Sequence, residues 1–160
     1  MRSIVVLTGA VLLIGLAAAG AAGGATAKRS VTLHLVEKSV GFNFVDNPPR
    51  QGVNAPPLMG DQFAITSEVQ TSSGARAGQL DATCTVTQGG GNGAGVCTGI
   101  FSLKGGLISG IARLRFNSNT TLIAITGGTG AYEGVTGSGT SVSRSEDSPY
   151  SDDTLHLIWP

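Results

Sequence analysis

Gln79-Leu-Asp-Ala-Thr-Cys-Thr-Val-Thr87 alternates strictly: Leu80, Ala82, Cys84 and Val86 fall on one parity, and Gln79, Asp81, Thr83, Thr85 and Thr87 on the other. A period of two with β-branched residues on the polar side is the pattern of a half-buried strand. The run ends in Gly89-Gly-Gly-Asn-Gly-Ala94, and a second strand follows over Val96–Leu103. Folding this hairpin about Gly90-Gly91 sets Cys84 opposite Cys97, and directly opposed residues share a face of the sheet. The register therefore predicts a Cys84–Cys97 disulfide, which closes a loop of about 14 residues and contributes roughly 3 kcal/mol in the chain-entropy model.

Working outward, the same alternation recurs. Val31, Leu33 and Leu35 alternate with Thr32 and His34; Phe63, Ile65 and Val69 alternate with Gln62, Thr66 and Glu68. Further strands are predicted over Leu107–Phe116, after the turn signal Gly105-Gly106, and over Thr120–Thr126, Ser138–Ser143 and Thr154–Trp159. About eight short strands with glycine-rich links predict an all-β sandwich or closed barrel with little helix. Asn47–Pro57 carries four of the six prolines and reads as a long loop, since proline cannot donate to a sheet ladder. Ser143–Asp153, rich in Ser, Asp and Glu, is expected to be a solvated loop.

The N-terminus reads differently. Met1-Arg2 gives a positive charge, Ile4–Ala19 is almost wholly apolar, and small residues lead to Ala25-Thr26-Ala27. This order predicts a secretory signal peptide over residues 1–27, leaving residues 28–160 as one domain. The apolar core is short of the roughly 20 residues a spanning helix needs, so the mature form is expected off the membrane. Secretion agrees with an oxidised cysteine pair.

Composition narrows the function. The formal net charge is +0, which excludes a strongly basic nucleic-acid binder. Only 12% of residues are charged, about half the usual share, as expected of a β-rich domain with many Thr, Ser and Gly. Two histidines, His34 and His156, stand far apart, and no His, Cys or carboxylate cluster has metal-ligand spacing. No metal or cofactor is expected. No G-x-S-x-G elbow is present, and the glycine-rich segments link strands rather than open helices, so neither that hydrolase class nor a phosphate cradle is indicated.

One carboxylate stands out. Glu37 lies in phase with Val31, Leu33 and Leu35, on the apolar parity of the first strand. Facing a barrel interior it would have a raised pKa and could act as acid or base; beyond the buried part of the strand it would simply touch water. Arg113 and Arg115 share the parity of Leu107 and Ile111; surface exposure is expected for both, and the alternative is that one of them points inward and pairs with Glu37.

Leu122–Gly137 reads LIAITGGTGAYEGVTG. This resembles the glycine turn of the allene oxide cyclase barrel family and, more loosely, of the dirigent proteins. Gly60-Asp61 followed by an alternating strand, and Gly78–Val86 with Cys84, resemble two further blocks in the same order. Within the turn, Gly127, Gly128 and Gly130 permit backbone angles closed to other residues, and Tyr132 can fold back to plug the barrel end. The resemblance implies an eight-stranded antiparallel barrel with an apolar cavity, often assembled as a homotrimer. It implies that Glu37 matches the cyclase glutamate, and that Ser39 and Ser67 stand where the cyclase has cavity asparagines. The dirigent Asp and Arg positions are Ala131 and Thr136 here.

On this reading the protein is a secreted barrel that binds or orients a small apolar molecule. Phe63, Ile65, Leu80, Val86, Phe101 and Leu103 are expected to line the cavity by parity with Cys84 and Cys97, with Ser67 joining them through the resemblance. An isomerase or cyclase using Glu37 is the alternative. A structural barrel filled by its own side chains is a third, and would leave no cavity of about 300 Å³ or more.

Overall fold

Eight strands close into one antiparallel barrel in chain order: β1 (Ser30–Val45), β2 (Gln62–Thr71), β3 (Arg76–Gln88), β4 (Ala94–Leu103), β5 (Gly106–Arg115), β6 (Thr120–Gly128), β7 (Thr136–Ser143) and β8 (Tyr150–Ile158). The structure is a computed structural model that describes residues 28–47, 55–145 and 147–160. The predicted signal peptide lies outside the described residues, as does part of the proline-rich loop. Among the described residues no α-helix forms; a single 3₁₀ turn spans Gly130–Tyr132. No helix among them is long and apolar enough to cross a membrane.

Closure pairs β1 with β8, Val31 standing opposite Leu157 and Leu33 opposite Leu155. The Cys84–Cys97 pair is directly opposed across β3 and β4 and forms the disulfide, with an S–S distance of 1.99 Å. Alternation decides what is inside. On β5, Ile108 is fully buried whereas Leu107, Ile111, Arg113 and Arg115 face out. His34 and His156 also lie outside, next to Thr154 and Thr32.

The barrel end nearest the β6–β7 connection is filled. Leu35, Val69, Phe101, Ile108, Ile125, Val135, Leu155 and Leu157 form a buried cluster, and Leu103, Tyr132 and Trp159 pack against it. Each such buried side chain contributes about 1.5–3 kcal/mol relative to exposure. Tyr132 reaches this position because Gly130 takes φ +62°, and because Gly128 carries no Cβ, which would meet the Tyr132 carbonyl at 2.5 Å.

The first strand runs beyond the Val31–Leu35 alternation to Val45, with a bulge between Ser39 and Gly41. One extra residue reverses the alternation, so Phe42 and Phe44, opposite Ile65 and Phe63, lie on the inward side. Ser143–Asp153 is not one solvated loop: β8 begins at Tyr150, and Asp153 is 2% exposed. The ladder to β1 and β7 continues through Asp153 despite its low strand propensity, because both neighbours offer backbone partners there. The predicted fifth strand also ends one residue early, at Arg115.

Asp61 explains the Gly60-Asp61 block. Buried at 2% exposure, it accepts hydrogen bonds from the backbone N–H of Asn47 at 2.8 Å and of Leu58 at 2.7 Å. It anchors both ends of the β1–β2 connection to the start of β2.

Candidate functional site

Between the filled end and the opposite mouth lies a cavity of about 200 Å³. That falls below roughly 300 Å³, as the structural reading expected, yet it exceeds the roughly 150 Å³ that admits benzene in an engineered core. Small inward residues create it: Ala82 and Gly99 face one another across β3 and β4, and Gly110 and Ala112 continue the gap on β5.

Its walls differ in chemistry. Strands β2–β6 give an apolar wall of Ile65, Leu80, Phe101, Leu114, Ile123 and the disulfide sulfur pair. Strands β1, β7 and β8, with Thr121 of β6, give a polar wall of Glu37, Ser141, Ser143 and Ser151. The register builds the second wall directly. Glu37 is opposite Ser151 on β8, Ser151 is opposite Ser143 on β7, and Thr121 is opposite Ser141.

Asp153 stands one inward position further along β8, opposite Leu35 on one side and Ser141 on the other. Glu37 and Asp153 are thus diagonal neighbours on one face, a separation that long side chains bridge. Neither oxygen of Asp153 has a hydrogen-bond partner. Burial first, then the neighbouring Asp153 charge, pushes Glu37 up to about 8. Burial likewise pushes Asp153 up to about 6, while Ser141 and Glu37 pull it back as polar neighbours, although neither meets hydrogen-bond geometry. Two carboxyls this close titrate as a pair. Near neutrality the pair shares one proton.

Of the residues expected to line the cavity, Ile65, Leu80 and Phe101 do so. Phe63 and Val86 are buried beside the disulfide, with Leu114 and Phe116 packed on them. Leu103 packs at the filled end, and Ser67, 1% exposed, is buried outside the lining. Sequence reasoning missed Asp153 and the serine wall. The signal was present: Ser151 and Asp153 share the parity of Leu155 and Leu157.

The mouth is asymmetric. Phe42 sits tilted against Phe63, ring centroids 5.7 Å apart, as an apolar lip, and Phe42 is itself 66% exposed. On the other side a polar recess of about 570 Å³ is lined by Arg115, Asn117, Ser118, Asn119, Ser145 and Ser148. Leu114 and Ser143 line both this recess and the inner cavity, and stand at their junction.

No family model matches the chain, and no curated protein matches it in sequence. Solved structures do. A structure described as pyocyanin demethylase is 23% identical, covers 79% of this chain and 99% of its own, and superposes with a TM-score of 0.67. A pterocarpan synthase dirigent protein is 16% identical, over 82% of this chain and 91% of its own, with a TM-score of 0.68. An exo-specific intermolecular Diels-Alderase is 17% identical, over 81% and 98%, with a TM-score of 0.62. At these identities the shared property is the fold. The chain has the eight-stranded barrel of the dirigent proteins and the cyclase barrels.

Proposed function

We propose that the chain is a secreted barrel that takes up one compact, largely apolar molecule and holds it with a polar atom against Glu37. The observation that carries this reading is the two-faced cavity, closed at one end, apolar on β2–β6 and polar on β1, β7 and β8. Secretion is supported by the sequence pattern of residues 1–27 and by the disulfide. Fold alone does not transmit an activity, so the reading rests on this cavity. What the similar barrels are described as handling, small organic molecules, agrees with it.

The mature protein is proposed to act as a homotrimer, away from the membrane. Val96, Ile100, Ile111 and Leu122 are exposed apolar side chains on the outer face of β4–β6, interspersed with Thr98, Ser109 and Arg113. Their grouping on one face supports association through it.

Native mass spectrometry of the protein recovered from its own medium tests both points. The expected spectrum shows a trimer with a discrete small-molecule adduct. In Ala82→Leu, whose larger side chain fills the cavity, the adduct is lost by tenfold or more while the barrel stays folded. An empty monomer, or an adduct indifferent to Ala82→Leu, defeats the reading.

A second reading is favoured by the carboxyl pair. A protonated Glu37 beside an ionisable Asp153 can give and retake one proton at a bound ligand, and the cavity supplies orientation for isomerisation or ring closure. Turnover separates the two: a pure binding barrel converts nothing, whereas a catalyst in Glu37→Gln loses turnover by a hundredfold or more, well beyond its loss of uptake.

A further inference from the structure

The carboxyl pair lacks its complement. Asp153 is 2% exposed with neither oxygen partnered, and Glu37 opens on the cavity beside it. From β7 only the hydroxyls of Ser141 and Ser143 face the pair, and from β8 only Ser151 adds to them. Among the described residues, no Lys, Arg or His lines the cavity from β2–β6. Asp152, the other acid on this stretch of β8, is exposed and held by Arg144 at 2.7 Å, and Lys38 lies on the opposite parity from Glu37. A carboxyl pair in an apolar enclosure with no cation is expensive unless something supplies one.

We propose that the molecule taken up in the cavity is a small hydrophobic cation: one ring with a short arm ending in an amine, an amidine or a protonated ring nitrogen, its charge set against Glu37 with Asp153 behind. This rests on the cavity being the ligand site. A neutral alcohol or carbonyl compound would satisfy a hydrogen bond but leave the pair's charge uncompensated, and a carboxylate would add a like charge. The size agrees: a cavity of about 200 Å³ exceeds by a few atoms the roughly 150 Å³ that encloses a benzene ring. Phe101 adds an aromatic ring to the wall, and aromatic faces favour cations. The empty pair shares one proton near neutral pH and so carries one negative charge, which one incoming cation neutralises.

The test uses three probes of matched size, 2-phenylethylamine, 2-phenylethanol and 3-phenylpropionate, by calorimetry at pH 7. The expected result is that the amine binds at least tenfold more tightly than the alcohol and that the carboxylate gives no heat. Asp153→Asn and Glu37→Gln should each remove most of the amine's advantage while changing the alcohol's affinity far less. Asp153 acts through Glu37, so its diagnostic readout is the ratio of amine to alcohol affinity, which a merely structural role would not move. An alcohol that binds as tightly as the amine, or a ratio unchanged in Asp153→Asn, overturns the proposal and leaves the cavity reading standing. If none of the three binds at millimolar concentration, both fall.

Discussion

Raising the pH from about 5 to about 8 is expected to lower the barrel's stability by several kcal/mol, because Glu37 and Asp153 bind protons more tightly folded than unfolded. Glu37 moves from an ordinary 4.5 to about 8, and Asp153 from 3.8 to about 6, both chiefly through burial. Within that window the folded chain carries more protons than the unfolded one, so the slope of unfolding free energy against pH is negative. The pair's contribution is fully present below the unfolded values and is lost as pH rises through the folded ones. Each tenfold difference in proton affinity is worth about 1.4 kcal/mol, which places the effect among the largest open to a single pair. Urea denaturation at half-unit pH steps measures it. Asp153→Asn should flatten the profile and exceed the wild type in stability at pH 8, since it removes a charge that has no partner. A flat wild-type profile would show that water reaches the pair freely.

Replacing both cysteines, as Cys84→Ala with Cys97→Ala, should cost about 3 kcal/mol by the loop-entropy account. The bridge joins residues 13 apart in sequence, across a turn rich in glycine that is unusually costly to order. For a domain of this size the loss corresponds to roughly 10 °C in Tm. Thermal melts of the double variant, and of the wild type with and without reductant, should agree with one another. If reduction lowered Tm but the double variant did not, the effect would belong to buried thiols crowding the wall rather than to the crosslink. Ligand uptake offers an independent view, because Cys84 and Cys97 both line the cavity and alanine widens it there.

Much of the barrel was legible in the sequence because its signal is local. Leu80–Val86 alternates without interruption, and the glycine turn after it fixes the register that brings Cys84 to Cys97. What alternation could not show was its own interruption. The bulge beside Val40 shifts the parity of β1, and Phe42 and Phe44 become inward residues at the mouth only through that shift. Asp153 was hidden for another reason. A run of Ser, Asp and Glu normally reports solvent, yet here the strand is set by its two neighbours, and the polar residues on the inward parity become a wall. Glu37 was visible as an acid on an apolar face, but its partner lies across the barrel's closure, where no local pattern reaches.

That closure also governs how the chain reaches its fold. Seven of the strand pairings join consecutive strands, six of them across short links and β1–β2 across the longer connection that Asp61 anchors, whereas the eighth joins β1 to β8. There Thr32 meets His156, 124 residues away, and the backbone N–H of Trp159 donates to the carbonyl of Arg29 at 2.9 Å. The entropy of bringing such distant segments together is spent before any contact rewards it, which puts the barrel among the non-local β topologies that fold in about milliseconds to seconds. Until the seam shuts, Glu37 and Asp153 sit on separate free edges in water, with ordinary acidities. The ladder that closes the barrel is therefore also the one that creates the unusual proton of the cavity.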